Sequence, residues 1–221
     1  LVREVSVDGR PRVQLDAGGD TTTVLVAAPD APGVLSAAAG VLALHSLEVH
    51  AAEVHTENVE SAESVTGITH PAGPAPAPGR LAVLAFTVSP RFGGLPDPAL
   101  LRADLVRVLD GSLALADALA RKERDYAPAA GGEPAAPPRV LWFDDEATGA
   151  VVLELRGTDR IGLLHRVAAA LEECGVALRW ARVATLGASV VDSFCLAGPG
   201  EGALPGPERK RIEKAVLAAA R

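Results

Sequence analysis

Apolar and polar positions run through the same cycle twice along this chain. Runs of β-branched residues at 21–27 and 151–155 suit buried strands, each bounded by an acidic or proline-containing turn. After the second run, Leu163, Leu164, Val167, Leu171 and Cys174 recur at helical spacing, and Gly175 stands where a helix would end. In the strand that follows, Val176 and Leu178 share one parity while Ala181, Val183 and Thr185 share the other, which predicts a bulge near Trp180. The first cycle breaks parity in the same way, between Leu47 and Val49 on one side and Ala52, Val54 and Thr56 on the other. Leu186, Gly187 and Ala188 read as a short turn into a third strand at 190–196, and 208–221 reads as a closing helix.

The cycles are copies at an offset of 129 residues: Asp30-Ala31-Pro32-Gly33-Val34-Leu35 aligns with Asp159-Arg160-Ile161-Gly162-Leu163-Leu164. The alignment continues without a gap to Thr56 and Thr185, with Ala39/Ala168, Leu42/Leu171, Ala52/Ala181 and Val54/Val183 identical. Asp30 and Asp159 are expected as helix N-caps, with Gly33 and Gly162 allowing close backbone approach. In the first copy the link between second and third strands stretches over about 58–80, where Pro71, Pro74, Pro76 and Pro78 alternate with small residues, as in an exposed, poorly ordered loop. Its third strand is expected at 81–88 and its second helix from Pro98 to about Tyr126.

These elements predict an α+β chain of two ferredoxin-like βαββαβ domains, antiparallel sheets with helices on one face. The expected divisions are an N-terminal strand segment at 1–20, a first domain at 21–126, a linker at 127–138 and a second domain at 139–221. The strand at 139–143, like its counterpart at 12–15, either closes the first sheet or pairs with the second repeat.

Composition narrows the function classes. The 221 residues contain no methionine, which suggests a piece of a longer protein. A net charge of -7, spread along the chain, argues against a nucleic-acid partner. The apolar stretches are too short to cross a bilayer and no signal peptide is evident, so a soluble, cytoplasmic protein is expected. Cys174 and Cys195 read as buried thiols.

The segments Thr158-Asp159-Arg160-Ile161-Gly162-Leu163-Leu164, 180–187 and Val190-Val191-Asp192-Ser193-Phe194-Cys195-Leu196 resemble the ACT domain. More narrowly, they are similar to the C-terminal ACT pair of the bacterial bifunctional enzymes that uridylylate and deuridylylate the PII nitrogen-regulatory protein. The resemblance implies a regulatory module that binds a small amino acid, glutamine first. It also implies upstream nucleotidyltransferase and HD-type hydrolase domains in the same chain, magnesium in those domains with no cofactor in this one, and PII as a partner through the parent enzyme. Some actinobacterial relatives are implied to transfer an adenylyl group instead. The sequence departs from the pattern at Ile161, where the family carries proline, and at Leu84, which occupies the place of Asp192 in the first repeat.

A helix N-terminus suits an amino-acid carboxylate, and Asp159 there could face the ammonium group. The candidate ligand-binding residues are therefore Asp159, Arg160, Gly162, Leu163, Leu164, Val183, Thr185 and Asp192, with Asp30, Gly33 and Val34 in the first repeat. The plainer alternative is that the aspartates only cap helices and the glycines only permit packing. Asp192, in an apolar strand, is either a ligand or partner contact or a solvent-facing residue. His45, His50 and His55 fall on alternating strand faces and do not suggest a metal site. Gly111-Ser112 lies in a helical pattern, and Asp117 lacks the second carboxylate a nucleotidyltransferase needs. Asp144, Asp145 and Glu146 read as a solvated turn, and Arg209, Lys210, Arg211 and Lys214 as a solvated helix face. No catalytic centre is expected. A module of another class, docking or dimerising through exposed sheet edges without a ligand, is the alternative function, and ACT–ACT pairing suits either.

Overall fold

The structure is a computed structural model that describes residues 1–19, 21–58, 79–126, 136–145, 150–186, 189–197 and 204–221. The first repeat comprises α1 (Val2–Asp8), β1 (Arg12–Gly18), β2 (Thr21–Pro29), α2 (Val34–Leu44), β3 (Leu47–Asn58), β4 (Arg80–Pro90), α3 (Pro98–Leu109) and α4 (Leu115–Asp125). The second comprises β5 (Arg139–Asp145), β6 (Ala150–Thr158), α5 (Leu163–Glu173), β7 (Ala177–Leu186), β8 (Ser189–Ala197) and α6 (Gly206–Ala219). The expected proline-rich loop, most of the linker, the turn at Gly187 and Ala188, and Glu146 lie outside the described residues.

Among the described residues, eight strands join one antiparallel sheet in the order β1-β2-β4-β3-β7-β8-β6-β5. The α+β class and the two ferredoxin-like units are as expected, an arrangement consistent with paired ACT domains. The fourth strand of each unit comes before it in the chain rather than after: β1 pairs with β2, and β5 with β6. The strand at 139–143 therefore belongs to the second repeat, with Arg139 opposite Arg156 and Phe143 opposite Val152.

The repeats meet where β3 pairs with β7. Ala52 lies opposite Ala181, Ala51 opposite Arg182 and Glu53 opposite Trp180. Since Ala52 and Ala181 are equivalent positions, a pseudo-twofold axis passes between them, and the chain forms in cis an isologous contact of the kind a dimer would form in trans. The two parity breaks are real register shifts, at Val49/Ala51 and Leu178/Trp180. They turn Ala52 and Ala181 onto the buried face, where both are fully enclosed.

Helices α2, α3, α5 and α6 cover one face of the sheet and α4 packs along α2. Between the sheet, α5 and the α3–α4 pair, nine residues of α2 are buried, which explains why its sequence is apolar nearly all round. Helix α1 was not anticipated in the segment 1–20, and it lies on the opposite face, where Val5 packs on Ala27 and Leu81. The single helix expected from Pro98 to Tyr126 is two. Gly111, at φ 80°, and the Asp110 carboxylate, which accepts the Ser112 N–H at 2.9 Å, turn the chain between α3 and α4.

Two surface assignments also change. Asp144 lies in β5 and accepts both guanidinium nitrogens of Arg209, at 2.5 and 2.8 Å. Arg209 in turn covers the Trp142 ring at 5.4 Å, and Arg211 donates to the Cys174 carbonyl at 2.7 Å. These cations fasten α6 to its own repeat.

Candidate functional site

The first turns of α2 and α5 are built alike, though not as the cap pattern predicts. The N-cap residues are Gly33 and Gly162, in left-handed conformation at φ 89° and 76°, where a side chain would be strained. Asp30 and Asp159 lie three residues earlier and cap nothing. Asp30 pairs with Arg80 at 3.5 Å, and Asp159 pairs with Arg91 of the other repeat. The far end of α5 closes in a Schellman motif, with Gly175 N–H donating to Glu172 O at 2.8 Å and Val176 N–H to Leu171 O at 3.0 Å. In α2 the matching position is Ser46, the one described non-glycine residue at positive φ. Lys122 from α4 holds that end by donating to the carbonyls of Ala43 and Leu44 at 2.9 and 2.6 Å and to Ser46 Oγ at 2.7 Å.

Between the α5 turn and the first repeat lies a cavity of about 780 Å³. Asp159, Arg160, Gly162, Leu163, Leu164, Val183, Thr185 and Asp192 all line it. Asp30, Gly33 and Val34 do not; they occupy the equivalent turn of the first repeat. The other wall is first-repeat residues that sequence spacing gave no reason to choose: Arg91 and Phe92 after β4, Lys122, Glu123 and Tyr126 of the α4 end, and Ser46. Ion pairs cross the gap, Arg91 with Asp159 and Arg160 with Glu123 at 2.7 Å. The signal for these residues is tertiary, because their nearness to the α5 turn depends on how the repeats pack.

Asp192 occupies the core face of β8, on the parity of Val190 and Phe194, and is 1% exposed. The solvent-facing reading is excluded. Its Oδ1 has no hydrogen-bond partner. Burial, reinforced by the charge of Asp159 and opposed by a hydrogen bond from the Ala184 backbone, pushes its carboxyl up to about 7. The sheet registers make Leu84 its counterpart twice over: Leu84 lies opposite Val26 and Val54, and Asp192 opposite Leu155 and Val183, the equivalent residues. A carboxyl group has thus been placed where the other repeat keeps a leucine, in a residue that lines the cavity and has an unfilled acceptor. Such a site can receive a cationic donor.

Among the described residues no group of three or more His, Cys, Asp and Glu could hold a metal ion, and no helix is long and apolar enough to cross a membrane. His45 instead pairs with Asp104 at 2.9 Å, and His50 with Ser89 Oγ at 2.8 Å.

No protein-family model matches the chain. Curated relatives do. A bifunctional uridylyltransferase/uridylyl-removing enzyme of Streptomyces coelicolor is 41% identical over 192 residues, 86% of this chain and 21% of its own length. Enzymes of the same description from Mycobacterium tuberculosis and Rhodospirillum rubrum are 36% and 33% identical over 83% and 77% of this chain. The chain spans about a fifth of the length of these relatives. It is therefore a relative of the bifunctional uridylyltransferase/uridylyl-removing enzymes over most of its own length, consistent with a fragment of such an enzyme.

Proposed function

We propose that this chain is the tandem ACT regulatory module of a PII-modifying enzyme. In this reading it binds a small amino acid, glutamine first, in the cavity between its repeats. The observation that carries the reading is the buried Asp192, which lines that cavity and whose Oδ1 lacks a partner. An α-ammonium group supplies the missing donor, and the carboxylates of Asp159 and Asp192 together favour a cation there. The α5 N-terminus adds backbone amide donors to the same cavity, and the Thr185 hydroxyl adds a polar contact for a side-chain amide. A docking module without ligand would have no use for Asp192.

Because both repeats line the cavity, a ligand that prefers one relative placement of the repeats shifts the balance between two enzyme states. The nucleotidyltransferase and uridylyl-removing domains of the same chain would read that shift, with magnesium and PII engaged there and not in this module. Titration calorimetry of the chain with l-glutamine and other neutral amino acids tests the proposal. Saturable heat with glutamine is expected, and its absence with every amino acid at millimolar concentration overturns it.

A further inference from the structure

We infer that Arg91, contributed by the first repeat, is the receptor for the ligand's α-carboxylate, so that one amino acid bridges the two repeats. This rests on the cavity being an amino-acid site. Of the other cations on the cavity wall, Lys122 is committed to the three acceptors at the end of α2 and Arg160 to Glu123, and Arg221 belongs to the second repeat. The Arg91 guanidinium is placed differently. It crosses from the first repeat to Asp159, and the pair is reachable from outside, with side chains 36% and 22% exposed. Asp159 is also the residue whose charge disfavours ionisation of Asp192. An incoming ammonium that satisfies both carboxylates releases Arg91 from Asp159, leaving a planar double donor at the edge of the cavity.

The base of Arg91 is held on both sides. Its own N–H donates to the Ser46 carbonyl at 2.8 Å, and the next residue, Phe92, stacks on Tyr126 with ring centroids 5.7 Å apart. The exchange therefore requires a side-chain rotation and no backbone movement. A guanidinium from one repeat and two carboxyl groups from the other, all lining one cavity, match the two ends of a zwitterion, and each end comes from a different repeat. Selection for a free α-carboxylate follows from this placement.

The test compares l-glutamine with l-glutaminamide, which keeps the α-ammonium and replaces the α-carboxylate by a neutral amide. By calorimetry, the wild-type chain is expected to bind glutamine about tenfold or more tightly than the amide, the difference of a charge-assisted bidentate contact. R91A is expected to abolish that preference, and R91K to keep part of it. R91Q, closer in length and polarity, provides the same readout if R91A melts well below the wild type. A preference that survives both R91A and R91Q overturns the role of Arg91 while leaving the amino-acid site standing. No binding of either compound to the wild type overturns both.

Discussion

The two repeats share a fold, a pseudo-twofold axis and the same glycine-started helix, yet a cavity with a buried acid lies against only one of the two helix turns described above. At the equivalent register the first repeat has Leu84, 1% exposed and packed in the core, while the second has Asp192 lining the cavity. The first repeat instead contributes what the second lacks, namely Arg91, Glu123 and the aromatic pair Phe92 and Tyr126. Duplication followed by division of labour explains this better than two independent sensors. An acid at both positions would place a second uncompensated carboxylate in the core without a second cavity wall to receive a ligand.

The largest effect is expected from making the repeats alike in the costly direction. L84D puts a carboxylate among Val26, Val54 and Phe86 in the hydrophobic core, and should destabilise the chain by about 3–5 kcal/mol, the penalty of an uncompensated buried charge. Urea unfolding measures it, and an unchanged midpoint would show that position 84 tolerates an acid as position 192 does, so that the two register positions do not differ in environment.

Making them alike in the opposite direction should stabilise. D192L removes a carboxyl that burial pushes up to about 7. The folded chain holds that proton between about pH 4 and pH 7 while the unfolded chain does not, so the residue's contribution to stability falls as pH rises through this window and is flat above it. The stability of D192L relative to the wild type is accordingly expected to rise by a few kcal/mol between pH 4 and pH 8, with loss of the glutamine heat. A stability difference independent of pH would show that Asp192 does not titrate as its burial implies.

The smallest effect compares the two helix starts. G33A and G162A each force a side chain into the left-handed region, at a cost of about 1–2 kcal/mol. At Gly33 the new methyl meets open space; at Gly162 it comes within 3.1 Å of the Leu119 side chain in α4. G162A should therefore melt slightly lower, and it alone should weaken glutamine binding, because it alone disturbs the cavity wall.

Much of this was legible in the residues. The offset of 129, the two parity breaks and the closing glycine of α5 are local patterns, and local patterns fix backbone geometry. The Asp110-Gly111-Ser112 turn is equally local, but helical spacing on either side of it masks it. Asp30 and Asp159 have the spacing of caps, because a cap and an ion-paired loop aspartate look the same along the chain until the partner is known.

The sequence by itself determined the α+β class, the duplication, the strand-helix-strand-strand run of each copy, and one wall of the cavity at 159–164 with Asp192. The tertiary structure decided which strands pair across the repeats, where β5 belongs, that Asp192 faces inward with an unfilled acceptor, and that Arg91 and Glu123 reach the second repeat's loop. The physical reason is range. Periodicity records which side of its own element a residue takes, whereas burial and ion pairing depend on neighbours brought together by the β3–β7 contact, which no spacing along the chain encodes.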